Sequence, residues 1–201
     1  MKKHPFYSVL ICIMAISVLP FFCGCAEPEE QEVILHSEGT DMSAYYWLED
    51  DDPSFIQVTL EESLRLFDEK GDGILFYSYT TCRFCNNAVP VLNEIAREYN
   101  TPVYYIDVYG QDYSDWPKEE RTALMDHFME CIEKTTVYNP SSGEREFNVP
   151  AVMTVIDGEI KAFHISLTDD YTGTDRLTEK QTEELKEIYR GLFDVYQLKD
   201  G

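Results

Sequence analysis

The chain has 201 residues, 44% of them hydrophobic and 13% aromatic, which is enough to pack one domain beside a tail and excludes disorder throughout. Its formal net charge of −22 excludes nucleic-acid binding, because phosphates would repel it, and disfavours anionic lipid surfaces. Lys2 and Lys3 open the chain, and an apolar run from Val9 to Phe22 follows, broken by little except Ser17 and Pro20. This run is shorter than the roughly 20 residues of a membrane span and ends at the small-residue region Cys23-Gly24-Cys25, the pattern of a cleaved secretory signal. Residues 1–24 are therefore expected to be a signal peptide, 25–53 an acidic linker and 54–201 the folded domain. Within the linker, Tyr45-Tyr46-Trp47-Leu48 stands out as an apolar cluster expected to pack on the domain, as an extra strand or a latch. Glu49 to Asp52 reads as a solvated acidic run.

Phe22-Cys23-Gly24-Cys25 resembles the lipobox of bacterial lipoproteins. The resemblance implies that Cys25 receives the lipid and that the chain is exported and anchored to the outer face of the bacterial cell membrane. Phe22 departs from the leucine usual in that family. An ordinary secretory cleavage or an uncleaved anchor is the alternative. Cys12 and Cys23 fall in the discarded segment, which leaves Cys25, Cys82, Cys85 and Cys131. That is too few for a disulfide-stapled scaffold and suits one pair used for chemistry.

From Phe55 the patterning sharpens. Phe55 to Val58 predicts a short strand, and Thr59 with Glu62 predicts a capping box opening a helix that Gly71 stops. Ile74-Leu75-Phe76-Tyr77 is a continuous apolar run, as in a strand buried on both faces. Ala88, Val89, Leu92, Ile95 and Ala96 follow at helical spacing, and Val103 to Val108 predicts the next strand. Residues 110–148 are less regular: Pro117 suits a first helical turn, Leu124, Phe128 and Ile132 continue a helix, and residues 139–143 form a turn cluster. Ala151 to Ile156 predicts a strand, Asp157-Gly158 a hairpin turn, and Glu159 to Ser166 the return strand. Thr178 and Gln181 predict a second capping box ahead of a last helix carrying Leu185, Ile188, Leu192 and Phe193.

The chemistry sits at Cys82-Arg83-Phe84-Cys85, where a strand gives way to a helix. Unsatisfied N–H groups and the positive end of the helix dipole favour a thiolate there. Cys82, at the open end, is the expected nucleophile, and Cys85, one turn inside, the resolving thiol. Thr81, Arg83 and Phe84 flank the pair, and Arg83 adds a positive charge beside Cys82. Half a zinc site would look the same, as would an inert structural disulfide. Against zinc, the chain has no second Cys-X-X-Cys, and His36, His127 and His164 are scattered. Cys131 reads as a buried, inert thiol, with a relay to Cys82 as the alternative.

Residues 55–196 resemble the thioredoxin superfamily in the Cys-X-X-Cys motif, in Pro90 five residues past it, in Val149-Pro150, in the Asp157-Gly158 turn and in Tyr105-Ile106-Asp107. The stretch from Cys82 to Asp107 looks most like the bacteriocin-transport-accessory type. The resemblance implies an α/β fold with a central mixed sheet flanked by helices and a helical insert before a cis proline. It implies that Val149 and a cis Pro150 bind substrate backbone; an ordinary trans proline at a strand start is the alternative. It further implies an extracytoplasmic thiol–disulfide oxidoreductase acting on protein thiols, with exported protein substrates, a redox partner, no dissociable cofactor and no metal. Phe76 stands where the family carries a buried Asp, and Val103 where it carries a buried Lys. These departures favour the alternative, a non-enzymatic accessory or chaperone-like lipoprotein.

Overall fold

The computed structural model describes residues 33–37, 39–111, 113–173 and 175–200. The expected signal peptide, the lipidation residue Cys25 and the first part of the expected linker lie outside the described residues. In chain order the elements are β1 (Phe55–Gln57), α1 (Leu60–Asp68), β2 (Gly73–Ser78), α2 (Arg83–Glu98), β3 (Val103–Asp107), α3 (Lys118–Cys131), β4 (Val137–Asn139), β5 (Glu144–Glu146), β6 (Ala151–Ile156), β7 (Glu159–Ile165) and α4 (Glu179–Gln197).

Five strands form one sheet in the order β1-β3-β2-β6-β7. β1, β3 and β2 run parallel, while β6 and β7 are antiparallel additions on the other side of β2. β2 is the centre, and all six of its residues are buried, which is why its sequence is a continuous apolar run rather than an alternating one. Alternate residues feed two cores. Ile74 and Phe76 join Val103, Tyr105 and Val152 against α2 and α4; Leu75 and Tyr77 join Ile106 and Met153 against α1 and α3. The sheet therefore lies between two helical layers, the mixed α/β arrangement expected from the resemblance.

Local chemistry explains the element ends. Thr59 accepts the Glu62 N–H at 3.1 Å, but the reciprocal half of the expected capping box does not form, because the Glu62 carboxylate takes the backbone N–H of His36 and the Arg65 guanidinium. The left-handed residue after α1 is Lys70, with φ 57°, not Gly71. Gly71 is required by space: a Cβ there would lie 2.7 Å from Leu66 and from Val33. The box at Thr178 and Gln181 is complete. Asp157 and Gly158 both take positive φ in the β6–β7 turn, as a two-residue hairpin of this hand requires. The turn cluster at 139–143 joins β4 and β5 in a two-stranded hairpin that the sequence reading did not include.

The described residues between 33 and 53 run over the domain without helix or strand. Val33, Leu35, Met42 and Tyr45 are buried. Thr40 bonds the N–H of Gln57 at 2.9 Å and the carbonyl of Phe55 at 3.2 Å, so its hydroxyl satisfies the free edge of β1. Asp50, read as part of a solvated run, accepts from Asn93 at 2.8 Å and from Arg97 at 2.9 Å.

Candidate redox site

β2 ends at Ser78, and Tyr79-Thr80-Thr81 carry the chain to Cys82, the N-cap of α2. Cys82 and Cys85 are joined by a disulfide. The backbone N–H of Cys85 donates to Cys82 Sγ at 3.0 Å. Both cysteines are buried, but Cys82 keeps 7% of its surface exposed and Cys85 none, so Cys82 is the more accessible residue of the pair. The sequence reading expected a more open Cys82; the loop after β7 lies against Arg83 and Phe84, the two residues between the cysteines.

That loop holds the residues between and beyond the cysteines. Arg83 Nη1 donates to the Gly173 carbonyl at 2.9 Å. Phe84 meets the Tyr171 ring edge-on, with centroids 5.0 Å apart. Asn87 donates to Tyr171 Oη at 2.9 Å and accepts the Leu177 N–H at 2.9 Å. Asn86 binds the loop on the other side: Nδ2 donates to the carbonyls of Thr80 at 2.7 Å and Cys82 at 3.0 Å, while Oδ1 accepts the Tyr46 N–H at 3.1 Å. Thr81 is exposed. Asn86 and Asn87 were missed in the sequence; two adjacent asparagines inside a helix, where their intrinsic preference is poor, were the available signal.

Val149–Pro150 is a cis peptide bond. The β2–β6 register sets Ala151 opposite Tyr77, so Pro150 lies at the end of β2 from which the cysteine loop departs. Pro150 is buried, and its carbonyl accepts the Ser166 N–H at 2.8 Å. Val149 is half-buried and packs against the cluster that contains both cysteines.

Phe76 and Val103 are fully buried in that same cluster, so no carboxylate or ammonium occupies their places. The polar groups of this region are hydroxyls, with the Asp107 carboxylate next to Tyr105. Tyr45 Oη lies 2.7 Å from Ser78 Oγ and donates to Tyr105 Oη at 3.0 Å. Burial pushes the Tyr45 phenol up to about 12 and holds Tyr105 above the usual tyrosine range, so both phenols stay neutral at physiological pH. Cys131, expected to be buried, is half-buried and packs against the core on the opposite face of the sheet from Cys82 and Cys85. Burial, then Asp68 and Glu130, push its thiol up to about 11, which keeps it protonated. Among the described residues, no group of three or more His, Cys, Asp or Glu side chains could hold a metal ion.

No family model matches the chain, and no curated protein matches it. Among solved structures it is similar to thioredoxin O2 from Arabidopsis thaliana in its oxidized state, at 17% identity over 70% of this chain and 96% of that one, with a TM-score of 0.39. It is also similar to thioredoxin from Aeropyrum pernix, at 21% identity over 66% of this chain and 85% of that one, with a TM-score of 0.34. By its strand order, its two helical layers and a cysteine pair at the start of the helix that follows the central strand, the chain has the thioredoxin fold.

Proposed function

We propose that the chain is an exported, lipid-anchored thiol–disulfide oxidoreductase acting on protein thiols through Cys82 and Cys85. The observation that carries this reading is the asymmetric pair at the N-terminus of α2. Cys82 retains some exposure, Cys85 has none, and an N–H aims at the sulfur of Cys82. In the oxidised form, a partner thiolate attacks Cys82 Sγ; a new S–S bond forms, the Cys82–Cys85 bond breaks, and Cys85 leaves as a thiolate. A second partner thiolate then attacks its own chain's sulfur in the mixed disulfide and expels Cys82 as a thiolate. Two electrons pass from partner to pair; the reverse sequence reduces a partner disulfide. The Cys85 N–H and the helix dipole stabilise charge on Cys82 in either direction. No cofactor enters these steps.

Export and anchoring rest on the apolar run that ends at Gly24-Cys25. Cys25→Ser should release the protein from the membrane fraction; retention at the same processed mass would contradict anchoring there. For the redox reading, purified protein should accelerate dithiothreitol-driven insulin reduction, and Cys82→Ser should abolish the acceleration. The second reading, an accessory docking protein, is favoured by Phe76 standing where the resemblance leads one to expect a carboxylate, and it predicts no acceleration.

A further inference from the structure

Beside the cysteine site lies a groove of about 300 Å³. That is the low end of the roughly 300–1,000 Å³ typical of ligand pockets, room for one or two side chains rather than a large molecule. Tyr113, Met125, Phe128, Met129, Phe147 and Val149 line it, and five of these six belong to the 110–148 insert or its end. Its other wall is the end of the sheet and the loops leaving it, with Tyr79 and Tyr109 stacked edge-on at 4.6 Å. Two lining residues tie it to the redox site: Tyr79 accepts the Cys82 N–H through its carbonyl, and Val149 precedes the cis proline.

The insert is poorly packed for its length. Phe128 is the one buried residue of the fourteen in α3, whereas ten of the sixteen in α2 are buried. Tyr109 is 76% exposed and Met125 43% exposed at the groove, and Trp116, Val137 and Tyr138 are exposed in the same segment. An apolar wall left open next to a reactive disulfide needs an occupant. Methionines suit a wall that adapts to more than one apolar side chain. Asp107, held in place by the Tyr109 and Gly110 N–H groups on its Oδ1, supplies the carboxylate on an otherwise uncharged lining, and the whole chain carries 38 acidic residues against 16 basic ones. An occupant with a cation beside its apolar residue is the complementary partner.

Resting on the redox reading above, we infer that the insert forms the specificity groove of the cysteine site, and that its occupant is an extended protein segment placing a bulky apolar side chain in the groove and a Lys or Arg beside Asp107. The test uses the full chain and two labelled ten-residue peptides. One carries Phe and Arg close to a central serine, and its match carries Ser and Glu in their places. Binding is read by fluorescence anisotropy. The first peptide should bind at least tenfold tighter, and Met125→Glu should erase the preference. Tyr109→Ala, at a more exposed position, should weaken it in a chain whose fold is checked by circular dichroism. Equal binding of both peptides, or a preference unchanged in both variants, would overturn the groove assignment. A second arm replaces the central serine by cysteine in a mixed disulfide and follows exchange with the reduced wild-type protein. The same preference in exchange rate supports the proposal. Selective binding without exchange, by peptide or by glutathione disulfide, would overturn the redox reading while supporting the groove as a docking site for this class of segment.

Discussion

Tyr45 Oη sits 2.7 Å from Ser78 Oγ, which ties a segment ahead of the first strand to the end of the central one, 33 residues on. The same hydroxyl donates to Tyr105 on β3, and Tyr45 is 1% exposed. The contact anchors the neighbouring Tyr46, whose N–H binds Asn86 near the start of α2.

Tyr45→Phe should therefore destabilise the domain by about 1–3 kcal/mol, because Ser78 and Tyr105 are left buried with a lost partner. Tyr45→Ala should cost about 3–5 kcal/mol, the range for an emptied aromatic site. Urea unfolding measures both. A change within error for either variant would show that residues 33–53 do not belong to the stable unit.

Tyr189 gives the opposite expectation. It is fully buried on α4, and its hydroxyl is the buried side-chain polar atom without a hydrogen-bond partner among the described residues. Removing that hydroxyl removes a desolvated group with nothing to lose, so Tyr189→Phe should raise stability by about 1–3 kcal/mol. The unfolding midpoint reports it, and a fall would mean that the hydroxyl is satisfied in solution.

His164 should make stability sensitive to mild acid. Burial holds its ring below the usual histidine range, with the bond to the Leu167 carbonyl opposing in part. Below the unfolded value of 6.5 the unfolded chain takes up a proton that the folded chain resists, so this contribution is lost as the pH falls. Urea midpoints at pH 7.5, 6.5 and 5.5 should decline, and His164→Gln should flatten the decline whatever it does to stability at pH 7.5. An unchanged slope would remove His164 from the account.

Much of the fold could be read from the chain because its signals are local. The run Ile74 to Tyr77, the Asp157-Gly158 turn and the Thr178 box each act within a few residues. Cys82-Arg83-Phe84-Cys85 and Val149-Pro150 are local in the same sense. What the sequence reading missed depends on partners far apart. Glu62 left its capping role for His36, 26 residues earlier. Arg83 reads as a charge for Cys82 until Gly173, 90 residues on, takes its guanidinium. The β4–β5 hairpin has no buried face to impose an alternating pattern: Glu144, Arg145 and Glu146 are all exposed.

The central claim is that Cys82 is the sulfur that exchanges with partners and Cys85 the one that resolves. Purified Cys85→Ser and Cys82→Ser chains, each mixed with a disulfide-bearing peptide, give the direct measurement when mixed-disulfide adducts are counted by intact mass. The asymmetry of burial predicts a stable adduct on Cys82 in the first variant and little or none on Cys85 in the second. Equal trapping by both, or trapping on Cys85 alone, would contradict the assignment.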